Sequence, residues 1–181
     1  TVLQLHLEGA ESLASPKLFG RLRNRVFFAA ASNRELINNG QADYVPMFLS
    51  ELPKLFRSGR QELDVALIQV SPPDNHGNCS LGISVEATKA ACDSAKLIIA
   101  HINPQMPRTH GDGFMRFQDI DIAFEQSHPM ICTHPPKKSK AAEEIGRYAS
   151  ELIEDGDCLQ MGIGVLPDAV LSNLSHHQHL G

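Results

Sequence analysis

"LDVALIQVS", residues 63–71, decides the class of fold. Apolar and polar residues hardly alternate in it, and the apolar run is nearly continuous, as in a strand covered on both faces. A second such run, "KLIIAHIN", follows at residues 96–103. Between them, residues 84–95 are rich in small residues (Ala87, Ala90, Ala91 and Ala95) and read as a helix, with Glu86 placed in a first turn where the helix dipole favours negative charge. Strand, helix, strand is the unit of a parallel sheet, because parallel neighbours need a crossover between them. Working outward, residues 2–7 and 25–31 read as strands. Residues 46–58 carry Met47, Phe48, Leu52, Leu55 and Phe56 at helical spacing, with Pro53 implying a kink or two short pieces. Residues 137–154 carry Ala141, Ile145, Tyr148, Ala149 and Leu152 on one helical face. "DCLQMG" (residues 157–162) reads as a further strand and residues 167–176 as a further helix. The sequence thus predicts one α/β domain over residues 1–181, with a mostly parallel sheet flanked by helices.

Composition narrows the function classes. The chain has 181 residues, 42% of them apolar, and a net charge of −5. That is enough for one core, and it carries no basic patch of the kind that nucleic acid requires. No apolar run approaches the ~20 residues of a membrane span, and no secretory leader is legible. Cys79, Cys92, Cys132 and Cys158 lie far apart without a C-x-x-C pair and read as buried free thiols in a reducing, cytoplasmic compartment. His176, His177 and His179 read as a solvated helix end, so no metal is expected. The first residue is Thr1 and the last Gly181, and segments are expected on both sides.

Three connections are unusual, and each follows a predicted strand. Ligands of parallel sheets bind outside the carboxyl ends of the strands, and long loops in compact domains are commonly functional. Residues 71–83 contain "SPPDNHGNCSLG", where His76 reads as a base or as a hydrogen-bonded interior histidine. Residues 103–114 contain "NPQMPRTHGDG", where Asn103 opens the loop and Arg108 reads as an anion clamp or as an ion pair with Asp112 or Asp119. His76, Asn103 and Arg108 are the candidates for a substrate mouth. The third connection is Gln160, Met161, Gly162, Ile163, Gly164, Val165 and Leu166. It is not a dinucleotide fingerprint. Pro167 stands where the third glycine belongs, and Asp168 puts like charge where a pyrophosphate would sit. Its glycines make either a tight turn or room for a neutral group such as a thioester, with backbone N–H groups free to donate.

"QVSPPDNHGNCSLGISVEAT", "NPQMPRTHGD" and "QMGIGVLPDAVL" resemble stretches that occur in this order in the acetyl-CoA hydrolase/transferase family, closest to its 4-hydroxybutyrate and butyryl-CoA:acetate CoA-transferase branch. The resemblance implies a CoA-transferase fold in which this chain is most of the first of two similar domains. It implies CoA transfer between an acyl-CoA and a small carboxylic acid (4-hydroxybutyrate, butyrate or acetate class), by ping-pong chemistry through a glutamyl-CoA thioester. Coenzyme A is then a substrate, no other cofactor is needed, and a homo-oligomer is expected. Residues Gln160 to Leu166 would contact CoA. The nucleophilic glutamate would fall a few residues past Gly181, leaving no catalytic residue in the chain itself. An acetyl-CoA hydrolase, a sugar-phosphate isomerase-like enzyme and a non-catalytic binding domain are the alternatives.

Overall fold

The computed structural model describes residues 1–5, 12–13, 15–132 and 137–181. The chain forms two compact units, residues 1–131 and 132–181.

In the first unit the two apolar runs become β4 (Leu63–Val70) and β6 (Ala95–Ile102), paired in parallel along their whole length. A short edge strand, β8 (Ile122–Glu125), joins the other side of β6, also parallel. A second parallel sheet has the order β1-β2-β3, from Val2–Gln4, Asn24–Val26 and Ala42–Tyr44. Helix α1 (Ala31–Asn38) crosses from β2 to β3, and α2 (Leu52–Arg57) and α3 (Thr88–Ser94) flank β4 in sequence. Phe27, Leu52, Phe56, Leu63, Ala87 and Ala90 form one core cluster, and Phe27 and Phe56 meet edge to face at 6.2 Å. Val70, Cys79, Leu81, Ala100 and Ile102 form a second.

Several expectations need correcting. The strand expected over residues 25–31 stops at Val26, because Phe27–Ala30 turn the chain into α1, which alanine-rich sequence disguised as strand. Leu7, expected in the first strand, lies outside the described residues. The helix expected from Pro46 begins only at Leu52, after a single 3-10 turn, with Pro53 tolerated in its first turn where no N–H is missed. Glu86 precedes α3 instead of sitting in its first turn. Strand β4 is covered on one face only. Ala66 and Val70 are buried, whereas Val65 and Leu67 on the opposite face are 43% and 76% exposed. Together with Ile99 and Phe124 they border an open, mainly apolar cavity of about 610 Å³ that lies across the sheet face. Two of the four cysteines, Cys132 and Cys158, are exposed; Cys79 and Cys92 are buried. Burial pushes the Cys92 thiol up to about 11, which leaves it protonated and inert at neutral pH.

In the second unit α4 (Lys140–Ser150) packs on α5 (Val165–Leu171). Ser139 caps α4 by accepting from the Ala142 N–H at 3.2 Å. The face expected to be buried is not. Ile145, Tyr148 and Leu152 are exposed, and the buried stripe is Ala142, Gly146 and Ser150. Small residues win here because the helices approach closely. A Cβ on Gly146 would lie 2.6 Å from the Ala169 backbone. Gly to Ala in a helix interior ordinarily gains roughly 0.5–1 kcal/mol. Gly146→Ala is expected to lose stability instead, by about 1–3 kcal/mol of overpacking. Urea unfolding of the two proteins measures the sign, and a stabilised variant would refute the close approach.

Candidate functional site

Loops 71–83 and 103–114 leave the carboxyl ends of β4 and β6, and parallel pairing brings them to the same edge of the sheet. They are not structureless. Each contains or leads into a short strand, β5 (Asn78–Ser80) and β7 (Phe114–Arg116), and these pair antiparallel with Ser80 opposite Phe114. Side chains complete the weld. Asp74 Oδ1 accepts from the N–H groups of His76 and Asn78 at 2.9 and 2.8 Å. Its Oδ2 accepts from Arg108 Nη2 at 2.5 Å, while Arg108 Nη1 donates to the Asn78 carbonyl at 3.1 Å. The guanidinium also lies over the Phe114 ring, 4.9 Å from its centre. Ser80, fully buried, accepts at its Oγ from the N–H groups of Gly82 and Thr109, both at 3.1 Å. Gly82 has φ +61°, and a Cβ there would stand 2.2 Å from Met106 Sδ, so the second loop closes directly over it.

The three substrate-mouth candidates therefore have different positions. Arg108 is engaged in a structural ion pair, and its partner is Asp74; Asp112 and Asp119 pair with Lys89 and Arg116. Asn103 is fully buried. Its Nδ2 donates to Gln69 Oε1 at 2.6 Å and to the His128 carbonyl at 2.8 Å, and its Oδ1 accepts from the Gln105 and His128 N–H groups. These bonds staple β4, β6 and residues 126–130 together and leave Asn103 nothing to offer a ligand. His76 is exposed, and only its backbone is held. Sequence reasoning missed Asp74, Ser80 and Thr109 as the joints of this edge, although Asp74 two and four residues before accepting N–H donors is a legible Asx-turn signal.

The glycine turn belongs to the second unit. Residues 157–162, expected as a strand, are not assigned as one. They pair with the last residue: Leu159 N–H donates to the Gly181 carbonyl at 2.7 Å, and Gly181 N–H donates to the Asp157 carbonyl at 3.0 Å. That exchange sets Gly181 beside Cys158 in the manner of parallel strands. The helix expected over 167–176 begins earlier, at Val165, with Gly164 as N-cap and Asp168 in the first turn. Gly164 has φ +142°, which L side chains rarely adopt, so the fold demands it. Gly162 has no positive φ, and a Cβ on it would find only Pro167 Cγ at 3.8 Å. The fold has no need of glycine there. Ile163 beside it is fully exposed. Among the described residues the N–H groups of Met161, Gly162 and Ile163 find no acceptor. The turn thus presents the Gly162 N–H next to a position stripped of its side chain. His177, expected as solvated, donates from Nε2 to the Ile153 carbonyl at 2.9 Å, whereas His176 and His179 are exposed.

The chain is similar to known proteins over most of its length. Residues 20–135 match the model of the acetyl-CoA hydrolase/transferase N-terminal domain. The 4-hydroxybutyrate coenzyme A transferase of Clostridium kluyveri is 48% identical over 88% of this chain and 37% of its own. The succinyl-CoA:acetate/propanoyl-CoA:succinate CoA transferase of Fasciola hepatica is 42% identical over 99% of this chain and 37% of its own. Among solved structures, RipA from Yersinia pestis superposes with a TM-score of 0.88 at 28% identity, over 99% of this chain and 44% of that one. The 4-hydroxybutyrate CoA-transferase from Porphyromonas gingivalis gives 0.70 at 35% identity, over 91% and 43%. The chain spans well under half the length of the relatives it matches. No described helix is long and apolar enough to cross a membrane.

The weld between the loops has a pH signature. The Asn78 N–H, against some opposition from burial, and then the His76 N–H and Arg108 hold the Asp74 carboxyl below its ordinary range. A carboxylate with a depressed folded pKa stabilises the fold above its unfolded value, about 3.9, and this contribution is lost as pH falls through the folded one. Asp74→Asn is expected to lower the urea midpoint at pH 7, with the gap from the parent protein narrowing below about pH 4. A gap that stays constant between pH 7 and pH 3 would remove Asp74 from the weld.

Proposed function

The chain belongs to the acetyl-CoA hydrolase/transferase family, and on that premise we propose that it supplies the coenzyme-A-facing turn of a CoA-transferase, moving CoA between an acyl-CoA and a small carboxylic acid of the 4-hydroxybutyrate, butyrate or acetate class. One observation carries the reading: Gly162, which the fold does not require, keeps its own N–H unpaired among the described residues and has open space where a side chain would stand. A thioester carbonyl gains negative charge when it is attacked. Fixed donors at that oxygen stabilise the transition state more than the ground state. A side chain at residue 162 would hold the thioester away from them.

The chemistry proposed is covalent and ping-pong. A glutamate carboxylate attacks the acyl-CoA carbonyl, CoA thiolate leaves, and an acyl–glutamyl anhydride forms. The thiolate then attacks the glutamyl carbonyl and expels the carboxylate product, leaving glutamyl-CoA. The acceptor carboxylate runs the same two steps in reverse. Glu143, Glu144 and Glu151 lie on the exposed side of α4 or just past its end and are poorly placed for this role. Pairing of Gly181 with Cys158 supports a nucleophile farther along. A strand continuing past Gly181 in that parallel register brings its fourth residue beside Gly162. His76, exposed at the edge formed by β4 and β6, is the remaining candidate for the substrate mouth.

Two experiments on the full-length protein test the proposal. Gly162→Val is expected to retain the parent melting temperature and to lose acyl transfer on the order of 10²-fold, the scale of a disabled oxyanion donor. Unchanged transfer in a folded variant would overturn the role of the turn. Incubation with acyl-CoA, trapping by hydroxylamine and peptide mass spectrometry should locate an adduct on a glutamate four residues beyond Gly181. An adduct within residues 1–181, or activity of this chain by itself, contradicts the mechanism.

A further inference from the structure

Two stretches of the second unit meet at the base of the glycine turn. One is residues 153–159, which lead toward Gly162; the other is residues 174–181, which follow α5. Backbone bonds join them, from the Gly156 N–H to the Gln178 carbonyl at 3.0 Å and in the exchange of Gly181 with Asp157 and Leu159. Backbone groups are alike at every residue, so these bonds hold the stretches together without choosing their alignment. Two side chains do choose. His177 donates from Nε2 to the Ile153 carbonyl at 2.9 Å, and Asp155 Oδ1 accepts from the Gln178 N–H at 2.9 Å. The imidazole is not there to fill space. Its Nδ1 is buried and has no partner among the described residues, an unfavourable state that a phenylalanine ring would avoid, so the Nε2 bond is what histidine contributes. Beside this clasp His179 has φ +58°, in the left-handed region that residues other than glycine seldom enter. Such a conformation persists where its surroundings fix it, and Gln178 and Gly181 are fastened on either side of it.

Alignment matters because of what the chain beyond Gly181 carries in the proposed function. Successive side chains of a strand point to opposite faces, so a slip of one residue would turn the nucleophilic carboxylate away from the Gly162 turn. We propose that His177 and Asp155 are positioning residues: their clasp sets the register of the chain beyond Gly181 and so holds the glutamate at the thioester carbonyl. This rests on the CoA-transferase reading. Both residues act through the backbone they fasten and neither acts on the substrate. Attack needs the carboxylate within about 3–3.5 Å of the carbonyl carbon, and a misplacement on the order of 1 Å costs about 10²-fold in rate. Loosening the clasp therefore slows the covalent step and leaves CoA its own contacts.

The test separates attack from binding in the full-length protein. Rapid mixing of excess enzyme with acyl-CoA, followed by intact-protein mass spectrometry, gives the rate constant for the glutamyl-CoA adduct in a single turnover, and titration calorimetry gives the affinity for CoA. His177→Phe keeps a ring and loses the donor. It is expected to form the adduct about 10- to 100-fold more slowly, with CoA affinity within about twofold of the parent. His177→Gln places an amide N–H at the reach of Nε2 and is expected to restore the rate to within about threefold. Loss of stability alone would lower the fraction of active protein but not the rate constant of what remains. Asp155→Ala and Asp155→Asn form a second pair with the same expectation, the asparagine keeping Oδ1, and they decide the matter if His177→Phe does not fold. A parental rate in folded His177→Phe or folded Asp155→Ala overturns the positioning role. So does a glutamine variant as slow as the phenylalanine one, or a CoA affinity that falls in step with the rate. If the parent protein forms no adduct at all, the CoA-transferase reading itself has failed and the inference falls with it.

Discussion

Parallel pairing between β4 and β6 governs where chemistry can occur in the first unit. Two strands that run the same way must be joined by a crossover, and residues 71–94 supply it. Both strands then end at the same edge, and both long loops are delivered there. Seven pairs in register, from Leu63 with Ala95 to Val70 with Ile102, leave that edge little freedom. The same constraint repeats in miniature at β1-β2-β3, where the turn into α1 occupies the equivalent carboxyl edge.

What happens beyond the strand ends is decided by polar side chains instead of apolar burial. Asp74 spends both oxygens on the loop that carries it and on Arg108, and Ser80 accepts from two N–H groups that would otherwise be buried alone. Such networks are effective when every member is satisfied and fail as a unit when one is not. Arg108 is thus a joint between the loops. Its cation is neutralised by Asp74 and shared with the face of Phe114, which leaves His76 as the exposed titratable group among the three mouth candidates.

The class of fold was legible because it depends on contiguous signals. The runs at β4 and β6 were read within a residue, and the first two of the three stretches that carried the family resemblance lie within residues 20–135, which match the family model. Illegible features were those that depend on a distant partner. On α4 the hydrophobic periodicity pointed to Ile145, Tyr148 and Leu152, but helix approach is limited by bulk, so the flat stripe of Ala142, Gly146 and Ser150 takes the contact. Arg108 offered two acidic partners nearby in sequence, and the one it uses lies 34 residues away.

Glycines make the same point most sharply, since a sequence writes them all with one letter. Gly146 is required by a neighbouring backbone, Gly82 by a neighbouring side chain together with its φ, and Gly164 by its φ alone. Each is accounted for by the fold. Gly162 is not: its backbone conformation is ordinary and the space beside it is open. In the proposed function this freedom has a use: Gly162 keeps its own N–H unpaired among the described residues, and the missing Cβ leaves room for a ligand against the backbone. Water would satisfy that donor equally well and would tolerate a side chain at 162, whereas the thioester proposed here, a polarised carbonyl on a thin, uncharged arm, would not.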